Sequence, residues 1–269
     1  MSEPFQKLTE TNLVIESWQR VNPELQAGFS TRNDGVSEAP FDTLNLGLHV
    51  QDASEDVIAN REKLAEAVQI PLDSWVSGEQ THQTNIHIVR DEDKGKGSLA
   101  HETSIKKIDG LITDRRGILC TAFFADCVPL FFFDPSTGWI GIAHAGWKGT
   151  VSRISQKMVD ALQSAGVKPS ELLVIIGPCI SSDYYEVDER VVSQIPAELR
   201  NQSVVSLEDK RFLLDLKQLN KEILLQHGIL SHNIEVTNYC TFRDESLFFS
   251  HRRDQGNTGR MLGYIGYNI

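Results

Sequence analysis

The stretch "ADCVPLFFFDPSTGWIGIAHAGWKGT", Ala125 to Thr150, constrains this chain more than any other. Two apolar runs, Val128–Phe133 and Trp139–Ala143, flank the turn-forming segment Asp134-Pro-Ser-Thr-Gly138. That order reads as an antiparallel hairpin of buried strands. Its polar exceptions stand at the ends, where Cys127 opens the first run and His144 closes the second. Two registers suit the turn. In one, Asp134 faces Trp139. In the other, Phe133 faces Gly138, and Cys127 then faces His144 on one side of the sheet. Facing residues have Cβ atoms roughly 4.5–5.5 Å apart, close enough to share a metal ion. A slip of one residue would send the two to opposite faces.

A third donor comes from "GEQTHQTNIHIV". His82 lies in a polar loop just before the strand 86–89, whereas His87 alternates within that strand and suits solvent equally. Cys127, His144 and His82 together make a three-ligand set. Three protein ligands with one open position is the pattern of catalytic zinc, which brings a bound water's pKa to roughly 7. A cysteine at the edge of an apolar strand is more often a small buried hydrophobe. Cys120, Cys179 and Cys240 are read that way. No CxxC pair exists, which removes zinc-ribbon and thioredoxin readings.

The remaining pattern is mixed. A helix is expected from Ser54 as cap to about Val68, with Val57, Leu64 and Val68 on one face. Another is expected after Thr150, where Val151, Ile154, Met158 and Leu162 recur until Gly166. Asp215 caps a third, with Leu216, Leu219 and Ile223 inside and Gly228 at its end. Strands are expected at 12–16, 86–89, 118–123, 128–133, 139–143, 172–176 and 234–238. Tight turns join some of these and helices join others, which favours an α+β fold. No repeat or linker appears, so one domain over residues 1–269 is expected.

The chain carries 37 acidic against 26 basic residues, a net charge of −11. That balance argues against general binding to nucleic acid or anionic membranes, while leaving room for a local basic pocket. The segment "MSEPFQKLTETN" has no apolar signal core, and no run approaches membrane-spanning length. A cytoplasmic location with reduced thiols is expected. For an anionic ligand, Arg32 in "FSTRNDG" offers a planar fork of donors suited to phosphate. Its competing reading is a surface pair with Asp34. The helix expected to open at Thr150 offers a second anion seat; Lys148 could assist it, but reads more readily as a solvated lysine. Arg252, Arg253 and Arg260 are read as bridging structural carboxylates. Asp126 could act as an acid or base, but strand alternation turns it away from Cys127.

The segments "FSTRNDGVS", "LNLGLHV", "GEQTHQTNIHIV", "ADCVPL", "AHAGWKGT", "IGPCI" and "FFSHRRDQGNTGR" resemble, in content and order, the YfiH-type laccase-domain family. The resemblance implies a single α+β domain of layered sheets and helices, similar to a cysteine-hydrolase toxin fold. It implies a zinc site at His82, Cys127 and His144. It also implies a purine nucleoside phosphorylase acting on adenosine, inosine and methylthioadenosine, with adenosine deaminase activity and a link to peptidoglycan-precursor editing. The implied partners are therefore a small nucleoside and phosphate. The laccase label fits poorly. A multicopper oxidase would consume most of the eight histidines, commonly as HxH pairs, and no HxH occurs. Met158 falls on a helical core stripe and Met261 lies far along the chain from the cluster, so neither suits an axial copper ligand; Met1 is an initiator. Copper would still occupy a Cys/His/His site in vitro, since it binds such donors more tightly than zinc. Two other readings remain open. One is a metal-free Cys/His hydrolase or amidase, with Cys127 as nucleophile and His144 as base, acting on a peptidoglycan precursor. The other is a non-catalytic protein with structural zinc, which three ligands suit less well than four.

Overall fold

The hairpin is present, and both of its faces are buried. In the computed structural model, which describes residues 3–268, β8 (Val128–Phe133) pairs antiparallel with β9 (Ile140–Ala145). Successive side chains of a strand point to opposite faces, so the run divides. Phe131 and Phe133 join a core that includes Phe5, Phe29 and Phe124. Leu130 and Phe132 join another that includes Met158 and Ile223. Burial on both faces explains why the run is apolar without alternation.

Those two cores separate stacked layers. The sheet containing the hairpin has the order β14 (Ile234–Val236), β10 (Leu173–Ile176), β8, β9, β6 (Gly110–Thr113), β5 (Ile86–Ile88). The second sheet runs β1 (Gln6–Lys7), β2 (Asn12–Val14), β3 (Leu25–Ser30), β15 (Met261–Tyr267), β7 (Ile118–Phe124), β4 (Trp75–Ser77). The phenylalanine core lies between them. Beyond the second sheet, Leu64 and Val68 of α2 (Ser54–Val68) pack on Trp75, Leu119 and Leu262. Beyond the hairpin sheet lie α4 (Ile154–Ser164) and α7 (Leu216–Gln226). A third sheet, β11 (Glu186–Asp188), β13 (Arg211–Leu214) and β12 (Val204–Ser206), sits with α5 (Glu189–Val192) and α6 (Ala197–Ser203). The short α1 (Glu16–Val21) and α3 (Trp147–Val151) complete the chain. The fold is α+β and layered, as expected. Met1, Ser2 and Ile269 lie outside the described residues.

Several local expectations change. The hairpin register sets Phe133 opposite Ile140, Pro129 opposite His144 and Val128 opposite Ala145. Cys127 therefore does not face His144, and the register drawn from Asp134 opposite Trp139 is the one adopted. The helix cap at 53–54 is Ala53, with Ser54 already inside α2. Thr150 is no cap. It is buried inside α3, its hydroxyl donating to the Ala145 carbonyl and accepting from Asn220. Arg153, in the left-handed region, breaks the expected long helix into α3 and α4. The anion seat expected at Thr150 is therefore absent. Asp215 caps α7 as expected, accepting from the Gln218 amide.

Candidate metal centre and active site

The chain crosses from one sheet to the other between β7 and β8, through Ala125-Asp126-Cys127. Asp126 takes a positive φ of 81° to make that crossing. The thiol is thereby placed at the rim of the seam between the sheets. His144 reaches the same point from β9. His82 arrives from the loop between β4 and β5, itself at a φ of 59°. The ligand atoms of His82, Cys127 and His144 all lie within 4.8 Å of one another. The three expected donors therefore converge, by a diagonal approach rather than by facing positions.

Opposite Cys127 in the observed register stands Gly146. A Cβ there would lie 2.9 Å from His82 Cδ2 and 3.1 Å from Cys127 Sγ. The glycine leaves the space in which thiol and imidazole meet.

Asp109, just before β6, organises the site. Its carboxylate accepts from the consecutive amides of Thr81, His82 and Gln83, which holds the His82 loop. It also meets His144 Nδ1 at 3.0 Å. A carboxylate only accepts, so Nδ1 carries the proton and Nε2 faces the cluster. Orientation of a ligating imidazole by a carboxylate is the usual support for a metal site. Burial opposes ionisation of Asp109, but the His144 ring and the loop amides hold it below its ordinary value. Burial alone would raise the Cys127 thiol; the charge and contact of His144, then His82, pull it down to about 6. In turn, burial lowers His144, while Cys127 and Asp109 lift it to about 9. A soft sulfur held as thiolate beside two imidazoles suits zinc or copper. These three residues fit the metal that the sequence reading expected.

The cluster opens into a cavity of about 520 Å³. Trp147, Tyr185 and Phe123 supply aromatic wall, Lys148, Arg252 and Arg260 supply cations, and His49 and His251 add imidazole rings, with burial and then the Arg260 charge pushing His49 down to about 3. Asp126 borders it, but its carboxylate accepts from Thr241, Ser250 and the Arg252 amide, anchoring the segment that carries His251 and Arg252. Arg32 does not line this cavity. Its Nε and Nη2 donate to the Asp42 carbonyl, it pairs with the Asp42 carboxylate, and it lies on Phe249. The expected partner, Asp34, pairs instead with Lys63. Arg253 is structural, holding the carbonyls of Thr241, Phe242 and Phe248. Arg252 and Arg260 are at the cavity, contrary to their structural reading. His87 is bound to Asp93, away from the site.

Asp109, Gly146, His49 and Arg260 escaped the sequence reading as site residues. Asp109 had a usable signal, since it is a polar residue at the head of a buried strand, as Cys127 is. His49 lay in plain view within "LNLGLHV". Nothing local marked Gly146 or separated Arg260 from its neighbours.

A family described as multi-copper polyphenol oxidoreductase laccase matches residues 26–268. A Bacillus subtilis protein named purine nucleoside phosphorylase YlmD is 43% identical over 269 residues, covering 98% of this chain and 97% of its own. The protein of the same name from Geobacillus stearothermophilus is 44% identical over 244 residues, 89% of each chain. Among solved structures, the hypothetical protein YfiH of Bacillus licheniformis matches with a TM-score of 0.95 at 42% identity, over 99% of this chain and 100% of that one. A crystal structure of YlmD from Geobacillus stearothermophilus matches with a TM-score of 0.94 at 40% identity, over 100% of both chains. The multi-copper description finds little counterpart in the geometry. Among the described residues, one group of three or more His, Cys, Asp or Glu side chains converges to ligand distance, and it offers three donors.

Proposed function

The chain belongs to the laccase-like family of YfiH and YlmD proteins, and from that premise we propose that it is a zinc-dependent purine nucleoside phosphorylase. Its substrates in this reading are inosine, adenosine and methylthioadenosine, with deamination of adenosine as a second activity of the same cavity. The observation that carries the reading is the convergence of His82, Cys127 and His144 on a cavity with aromatic walls, of a size typical for small-molecule sites. When bound, zinc supplies Lewis acidity, polarising a substrate oxygen or bringing water toward a pKa of roughly 7. The chain's residues do the rest. Trp147, Tyr185 and Phe123 offer apolar surface to the purine. Asp109 keeps His144 in one tautomer and fixes the His82 loop. In phosphorolysis a phosphate oxygen bonds to ribose C1′, the bond from C1′ to N9 breaks, and the purine leaves with the electron pair and takes up a proton. A cytoplasmic location follows from the reading, where nucleosides and reduced thiols coexist; no described helix is long and apolar enough to cross a membrane.

A second reading has its own support. Cys127, His144 and Asp109 are arranged as nucleophile, base and orienting carboxylate, with the thiol pulled down toward neutral pH. Without metal the same atoms would serve an amide hydrolase, with a peptidoglycan precursor as substrate class. One experiment separates the two. Release of hypoxanthine from inosine is followed with and without orthophosphate, before and after chelation, alongside alkylation of Cys127 by iodoacetamide. The phosphorylase reading expects phosphate-dependent release, loss on chelation, and protection of Cys127 until metal is removed. Cys127→Ala is expected to lose stoichiometric metal. Rapid alkylation of fully metallated protein, with activity indifferent to chelator, would select the hydrolase.

A further inference from the structure

We propose that the orthophosphate seat of this cavity is the Nε/Nη2 edge of Arg260. The inference rests on the phosphorylase reading above and names the residue that would take its second substrate.

The chain has more acidic than basic residues, yet none of the three strongly basic side chains lining the cavity, Lys148, Arg252 and Arg260, makes an ion pair among the described residues. Lys148 and Arg252 are exposed, and water screens them. Arg260 is partly buried, and a desolvated cation without a counter-charge is unfavourable unless a ligand supplies one. The negative groups Cys127 and Asp126 act on it through space without pairing with it.

Hydrogen bonding then selects the edge. Nη1 of Arg260 donates to the carbonyls of Thr258 and Gly259. Among the described residues, Nε and Nη2 have no acceptor. These two donors form the side-on fork that matches two oxygens of a phosphate. The Nε and Nη2 atoms of Arg32, Arg61 and Arg253 are all engaged by protein acceptors. The fork of Arg260 is also held in place. Its amide donates to Asn45 Oδ1 and its carbonyl accepts from the Leu46 amide. Its stem packs where a Cβ on Gly47 would lie 2.8 Å from Arg260 Cγ. A donor pair fixed before the ligand arrives loses little entropy on binding.

The test is steady-state kinetics of the metallated full chain with inosine and orthophosphate varied separately. Arg260→Lys keeps the charge and loses the fork. The KM for phosphate is expected to rise about tenfold or more, since charge-assisted hydrogen bonds are of that strength, while the KM for inosine and the metal content stay as in the parent. A phosphate KM within twofold of the parent overturns the proposal. A second measurement needs no variant. Phenylglyoxal, an arginine-specific dicarbonyl, is applied to the parent protein with and without saturating orthophosphate, and modified peptides are mapped by mass. Protection of Arg260 supports the seat, and equal modification overturns it. If Arg260→Lys fails to fold, protection decides alone. If the parent releases no hypoxanthine at all, the phosphorylase reading fails, while protection still decides whether Arg260 holds phosphate.

Discussion

At the scale of single residues, the site depends on one missing methyl group and one carboxylate. Gly146 has φ −66° and ψ 170°, a conformation open to any residue. Its restriction is therefore steric, and Gly146→Ala should push Cys127 and His82 apart without straining the backbone. Metal affinity is expected to fall about tenfold or more, a loss typical when a ligand's support is disturbed, with the melting temperature nearly unchanged. Competition with a metal-binding dye checks it; parent-like affinity would remove Gly146 from the account. The thiol gives a second prediction, in metal-free protein. An ordinary thiol stands near 9.0, and Cys127 is pulled down to about 6 while His144 is lifted to about 9. Between those values the pair exists as thiolate and imidazolium. Thiolate is the reactive form, so alkylation should be half-maximal near pH 6 and flat through pH 8. Asp109→Asn removes the charge that helps hold His144 protonated, so its midpoint should move upward. A midpoint near 9 in the parent would show that the pairing is not made.

At the scale of elements, two glycine-bearing strands of the second sheet were not expected from the sequence. β3 (LQAGFS) and β15 (MLGYIGY) are central in the second sheet, yet their small residues break the apolar signal. The structure shows why the glycines are there. Gly28 stands opposite Tyr264, and a Cβ on it would lie 2.3 Å from the Leu13 carbonyl and 2.4 Å from Tyr264 Oη. The tyrosine ring lies across the glycine and its hydroxyl accepts from Asn12. Gly28→Ala should therefore destabilise the chain by about 1–3 kcal/mol, the range for overpacking a filled core, read as a shift of the urea midpoint. A neutral result would mean that the ring moves aside at little cost. By contrast, α7 and its Asp215 cap were legible because cap, stripe and terminal glycine all occur within one local segment.

At the scale of the whole molecule, three hydrophobic clusters hold the layers together, and the His82, Cys127 and His144 cluster sits at the rim of the seam between the sheets. Asp109 ties the His82 loop to β9 independently of any ion. Chelation is thus expected to stop inosine phosphorolysis while lowering the melting temperature by only a few degrees. Such a result is unlike that of small zinc modules, whose folding depends on the metal. Cooperative unfolding on chelation would make the metal a structural staple and remove the case for an open catalytic position.

Cys127 and His144 were legible as candidate donors in the sequence, because thiol and imidazole stand at the ends of apolar runs where nothing local requires them, whereas His82 lies in a polar loop and gained its place with the family motif. Also legible were the hairpin, the helix from 54 to 68 and the α+β class, since each rests on periodicity or turn chemistry within a short window. What brought the donors together was not legible. Hairpin pairing alone offered two registers, and the one adopted separates Cys127 from His144 along the strands. Their meeting depends on a left-handed turn at Asp126, a glycine at 146 and the Asp109 carboxylate just before a third strand. The same holds for the arginines. Arg32 and Arg260 are chemically identical in sequence, and only the acceptors that surround each guanidinium after folding decide which fork is spent on the protein and which is left without an acceptor among the described residues.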